Sequence, residues 1–135
     1  LVSTIDDYLN FSIMLLNQGK FKNEQILSRK TIDLMTKNHI TGNKDILSSS
    51  HANTTSETTT AGVGFGLGFQ TLLDTSKNQI NSSIGEYGWG GAASTIFWID
   101  PSEDLITIFL TQLIPSSTYN IRRELRTLVY SSITD

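Results

Sequence analysis

The sequence predicts an α+β fold: two helices, an antiparallel meander of about four strands, and a closing helix. Three observations carry this. Ile5, Tyr8, Leu9, Ile13 and Leu16 recur at helical spacing near the start. Thr95-Ile96-Phe97-Trp98-Ile99 and the run 105–113 are β-branched and aromatic, with the turn Asp100-Pro101-Ser102-Glu103 between them. Near the end, Ile121, Leu125, Leu128 and Val129 make a second helical stripe.

Taken in order, Ser3 and Thr4 stand three residues before Asp6 and Asp7, a variant of the capping box that opens the first helix. Phe11 and Leu15 broaden its stripe, and Gly19 is a natural stop. A second helix opens at Ser28, carries Ile32, Leu34 and Met35, and fades near Asn38-His39. Arg29 and Lys30 in its first turn oppose the helix dipole, so it must draw its stability from packing.

The stretch 41–61 is mostly Ser, Thr, Asn and small residues, and reads as a flexible surface loop. Glycine at every second position of 62–68 then puts Val63, Phe65, Leu67 and Phe69 on one face of a strand. No Lys-Ser/Thr ending or helix follows, so a smooth face that another element approaches closely is favoured over a phosphate loop. A turn at 74–78 and a strand through Ile84 and Tyr87 lead into the segment 94–99. Ser116 or Ser117 is expected to cap the last helix, with Arg122, Arg123 and Arg126 turned outward.

With 135 residues the chain is sized for one domain, 1–135. Its first residues, Leu1-Val2-Ser3-Thr4, look like the interior of a longer chain. The net charge of −3, without a basic stripe, argues against nucleic acid as a partner. No apolar run reaches membrane-span length. Without cysteine there is no disulfide framework, thiol nucleophile or Cys-based zinc site, and no compartment is selected.

His39 and His51 are the only histidines and have no carboxylate at a ligand-like spacing, so neither a metal nor a cofactor is expected. There is no Gly-x-Ser-x-Gly elbow and no Ser-x-x-Lys. Tyr8-Leu9-Asn10 spells Tyr-x-Asn, but Tyr8 lies on the apolar stripe and reads as core packing.

The remaining candidate is Glu86-Tyr87-Gly88-Trp89-Gly90-Gly91-Ala92, which thins out its side chains just before the most strand-like segment. Bare backbone there could offer N–H groups to a carbonyl oxygen as it becomes an anion. Gly90 and Gly91 would admit a substrate, and the Ala92 N–H could point at it. The competing reading is a bulge or tight hairpin, and composition weighs the two evenly.

Leu1-Val2-Ser3-Thr4-Ile5-Asp6-Asp7-Tyr8, Met14-Leu15-Leu16-Asn17-Gln18-Gly19, Ile26-Leu27-Ser28 and Thr31-Ile32-Asp33-Leu34-Met35 resemble the later half of the serine β-lactamase-related hydrolases. That group comprises class C β-lactamases, family VIII carboxylesterases and DD-peptidase-like enzymes. Gly64-Phe65-Gly66-Leu67-Gly68-Phe69 looks like the family's Gly-Leu-Gly strand, and Trp89-Gly90-Gly91-Ala92 falls on its third motif. Trp98-Ile99-Asp100-Pro101 and Thr111-Gln112 continue the likeness.

The resemblance implies the C-terminal part of a β-lactamase/transpeptidase-like fold and an acyl-enzyme mechanism on a small-molecule ester or amide. The nucleophile (Ser-x-x-Lys) and Tyr-x-Asn motifs would lie in a missing N-terminal part, leaving the isolated chain inactive. Ala92 would give one oxyanion N–H, with Trp89, Gly90 and Gly91 binding substrate. Trp89 stands where many β-lactamases carry Lys, which favours neutral substrates over carboxylates. In the family fold the last strand pairs with one from the start of the chain. The segment 105–111 is therefore expected to be an open edge through which the isolated chain self-associates. The alternative is a non-catalytic binding or regulatory module that kept the fold, with Trp89, Trp98 and Tyr87 available for stacking.

Overall fold

The computed structural model describes residues 2–49 and 60–134. Helix α1 spans Ile5–Leu16 and starts as its sequence predicts. Thr4 Oγ1 accepts from the Asp7 N–H at 3.1 Å, and its hydroxyl donates to Asp7 Oδ2 at 2.9 Å. The chain leaves the helix at Gly19, whose N–H donates to Met14 O at 2.8 Å. Gly19 sits at φ +88, and a Cβ there would lie 2.1 Å from Leu27 O. Only glycine fits.

A short ribbon that the pattern did not announce comes next, β1 (Lys20–Phe21) paired with β2 (Glu24–Gln25). Helix α2 (Arg29–Met35) is capped by Ser28, which accepts from the Thr31 N–H at 3.0 Å. The first part of the expected loop is ordered: a 3-10 turn at Thr41–Asn43 precedes the single helical turn α3 (Ile46–Ser49). The rest of that loop, 50–59, lies outside the described residues. Asp45 joins the two sides. Its Oδ1 accepts from the Ser48 N–H at 2.8 Å and its Oδ2 from the Gly62 N–H at 2.9 Å. Bonding to the Ser48 hydroxyl, then to the Gly62 N–H, holds the Asp45 carboxyl down to a pKa of about 2.

Five antiparallel strands follow in sheet order, one more than the meander predicted: β3 (Val63–Phe65), β4 (Gln70–Leu72), β5 (Tyr87–Gly90), β6 (Ile96–Asp100) and β7 (Leu105–Phe109). The extra strand comes from the glycine segment, which does not run as one strand through Phe69. It turns over Gly66-Leu67-Gly68, with Gly66 N–H bonded to Phe69 O at 2.7 Å and Gly68 at φ +102. Period-two glycine serves a turn as readily as a smooth strand face. The close approach itself is real: a Cβ on Gly66 would meet Met35 O at 2.1 Å, and one on Gly64 would meet Asn38 at 2.5 Å.

Other boundaries shift. The turn at 74–78 is a helical turn, α4 (Thr75–Asn78), capped by Asp74. Ile84 stays exposed ahead of β5. The segment 91–95 is a turn, so β6 begins at Ile96, and β7 ends at Phe109 rather than running to 113. Ser116 and Ser117 belong to a separate 3-10 turn, and helix α5 (Ile121–Ser131) starts after Asn120 without a side-chain cap.

Strand β6 is buried along its whole length, and its alternation feeds two cores. Phe97 and Ile99 pack with Met14 and Leu15 of α1 and Ile32 of α2. Ile96 and Trp98 pack on the other face with Leu125, Val129 and Tyr130 of α5. Trp98 is therefore core, and unavailable for ligand stacking.

Two of the three arginines expected to point outward point in. Arg122 and Arg126 are buried, and Leu128, assigned to the inner stripe, is 68% exposed. Arg122, Arg126 and Tyr130 follow one another at four-residue steps and so share a helix face. That face meets carboxylates on the sheet. Arg126 Nη2 lies 2.6 Å from Glu86 Oε1, and its guanidinium rests 4.9 Å from the Trp98 ring centre. The Tyr130 hydroxyl lies 2.8 Å from Glu86 Oε2 and 2.9 Å from Asp100 Oδ2, so its one proton serves either carboxylate. Burial first, and then the Glu86 charge, raise the Tyr130 pKa far above the ordinary phenol value. Charge signals the surface to a pattern reading; here a buried counter-charge cancels that signal.

Candidate active site

At the end of β5 a cleft of about 210 Å³ opens on the α1 face of the sheet. Tyr8, Trp89, Gly90, Gly91, Phe97 and Ile108 are among its lining residues, none of them charged. Register explains the grouping. Trp89 pairs with Phe97, and Phe97 with Ile108, so all three side chains share one face across three strands. Tyr8 closes the side from α1, its ring 5.0 Å from that of Phe97 at an interplanar angle of 73°. Burial raises the pKa of the Tyr8 hydroxyl above the ordinary phenol value.

Trp89 is 47% exposed and edges against Phe65 at 5.0 Å. Gly90 and Gly91 bring their backbone to the cleft, but the room left by their missing side chains is taken by the protein itself. A Cβ on Gly90 would lie 3.0 Å from Arg122 Cζ, and one on Gly91 would lie 2.3 Å from Thr95 Oγ1. Gly88 answers to the sheet in the same way, with Phe97 O at 2.1 Å from a built Cβ. The glycines around Trp89 therefore report close packing, while their backbone still walls the cleft.

Ala92 is exposed at the tip of a hairpin. Gly91 N–H donates to Thr95 O at 2.8 Å, and Ser94 N–H donates back to Gly91 O at 3.2 Å, closing a four-residue turn. Ser94 occupies the left-handed region at φ 65 and is anchored by its hydroxyl to Leu113 O at 2.7 Å. The Ala92 N–H has no acceptor among the described residues. The sequence singled out Trp89 through Ala92, of which Trp89, Gly90 and Gly91 line the cleft. It assigned Tyr8 to the core alone and turned Arg122 outward, whereas Arg122 is buried against Gly90; its only signal was its place one turn before Arg126 and two before Tyr130.

The family model described as Beta-lactamase matches residues 1–130. Protein Rv1367c of Mycobacterium tuberculosis (strain H37Rv) is 34% identical over 116 residues, covering 84% of this chain. The chain spans only 28% of that relative's length. Among solved structures, simvastatin synthase (LovD) from Aspergillus terreus matches at a TM-score of 0.72 and 21% identity, over 95% of this chain and 33% of that one. EstCE1, described as a hydrolase with promiscuous acyltransferase activity, matches at a TM-score of 0.68 and 26% identity, over 93% of this chain and 29% of that one.

Proposed function

The chain belongs to the Beta-lactamase family, and from that premise we propose that it forms the third-motif wall of a serine hydrolase acting through an acyl-enzyme on neutral esters. The observation that carries this reading is an uncharged cleft walled by Trp89, Gly90 and Gly91, followed directly along the chain by the Ala92 N–H, which has no acceptor among the described residues. A preorganised N–H stabilises the oxyanion of a tetrahedral intermediate because it needs no reorientation as charge develops. Trp89 offers an indole where a cation would hold a substrate carboxylate, so a neutral acyl or alkyl group is the better fit. The hydrolase and acyltransferase description of EstCE1 supports acyl transfer as the reaction class.

Residues 1–135 then act as one part of a larger hydrolase domain, whose remainder supplies the nucleophile, its lysine and the Tyr-x-Asn pair. The test compares the intact parent protein with the 135-residue chain on a short-chain nitrophenyl ester. The parent is expected to turn it over and to disfavour an analogue bearing a carboxylate; the chain alone is expected to be inert. Trp89→Lys in the parent should shift the kcat/KM ratio toward the carboxylate analogue. Serine-dependent turnover by the short chain, or a parent inert to both esters, would sink this reading.

Strand β7 is an edge of the described sheet, five half-buried residues with no Lys or Pro to blunt it. The isolated chain is therefore expected to self-associate through 105–111, the unpaired edge adding a strand from a second copy. Sedimentation at micromolar concentration reads this directly. Phe109 is unsuited as a probe because it packs with the α5 core. Leu110→Lys, at a 49% exposed position, should weaken association without opening that core, and a monomer before substitution would refute the proposal.

A further inference from the structure

The geometry points to Arg122 as a positioning residue that aims the Ala92 N–H into the cleft, an inference that rests on the oxyanion role proposed above. Arg122 projects from the first turn of α5, on the sheet face opposite the cleft. Its Nη2 donates to Gly91 O and, at 3.0 Å, to Thr95 O. One nitrogen with two hydrogens thus holds both carbonyls at the neck of the hairpin.

The consequence follows from peptide geometry. Among the described residues only the Ile114–Pro115 bond is cis, so the Gly91–Ala92 bond is trans and planar. In a trans peptide the C=O and the following N–H point in opposite directions. Arg122 and the Ser94 N–H draw the Gly91 carbonyl to one side, so the Ala92 N–H is turned away from both donors, and we infer that this aims it at the cleft that the preceding Gly91 lines. Gly90 leaves room for the same device, since a Cβ there would lie 3.0 Å from Arg122 Cζ and displace the guanidinium slightly. Arg122 as a whole is only 8% exposed, so its hold on the turn is largely shielded from solvent.

The test uses the intact parent protein, with Arg122→Ala beside Arg123→Ala. Arg123 donates instead to Gln79 O at 2.7 Å and leaves the turn alone. Arg122→Ala is expected to lower kcat on a nitrophenyl ester by on the order of tenfold to a hundredfold, approaching the loss of an oxyanion donor, with KM little changed. Methylguanidine should restore part of that rate. The preference for an oxoester over its thionoester should shrink, because sulfur accepts hydrogen bonds poorly and only an aimed donor discriminates. A purely structural arginine would instead lower the amount of active enzyme and leave kcat per titrated site and the thiono ratio unchanged, which would overturn the inference.

If Arg122→Ala fails to fold, Arg122→Lys takes its place with the same readouts. If the parent turns over no ester, the functional reading fails separately, and a crystal structure of the variant then decides the positioning claim. A Gly91–Ala92 peptide in its original orientation refutes that claim, and a rotated one upholds it.

Discussion

Replacing Ala92 by proline in the intact enzyme should cut kcat for a neutral ester by roughly a hundredfold to a thousandfold, the loss measured when one oxyanion donor is removed elsewhere. Proline is the informative choice because it deletes the N–H and little else. Ala92 holds the second position of the turn closed by Ser94 N–H and Gly91 O, a position at which proline is favoured. Its fixed φ suits that turn, and Ala92 donates no hydrogen bond that folding would miss. The urea midpoint should therefore stay close to that of the unsubstituted protein while the chemistry collapses. Ala92→Gly keeps the N–H and should retain most of the rate. A proline variant with full kcat would show that this N–H does not face the reacting carbonyl.

The proline test isolates what could not be read from residue types alone. Trp89-Gly90-Gly91-Ala92 was visible as a candidate because glycine is unexpected beside a strand, yet glycine has several causes and the sequence does not separate them. In the fold each has its own neighbour: the Phe97 carbonyl for Gly88, Arg122 for Gly90 and Thr95 for Gly91. Helix α1 was legible at both ends because Thr4 and Gly19 act locally. The hairpin from β3 to β4 was not, since glycines at 64, 66 and 68 satisfy a strand pattern while the bend is set by contact with Met35 and Asn38. Local chemistry shows in a sequence; a partner many residues away does not.

Arg126 is the sharpest case of such a distant partner, and its removal should carry the largest stability cost. Arg126 Nη2 and Glu86 Oε1 meet at 2.6 Å with side chains only 6% and 4% exposed. Asp100, fully buried, shares Tyr130 with Glu86 and also accepts from the Ser102 N–H at 2.9 Å. Two carboxylates therefore meet at one hydroxyl, and Arg126 is paired with one of them, Glu86. Arg126→Met keeps the packing against Trp98 but strands Glu86 in a site it cannot leave, and breaking a buried pair this way costs on the order of 3–5 kcal/mol. Urea unfolding of the intact protein should show a midpoint lowered accordingly. Arg126→Met combined with Glu86→Leu removes both charges, and replacing a whole buried pair by apolar groups is often close to neutral. The double variant should thus recover most of what the single one loses. Two single losses that simply add would mean that the charges do not interact, and that the inward face of α5 is held by packing alone.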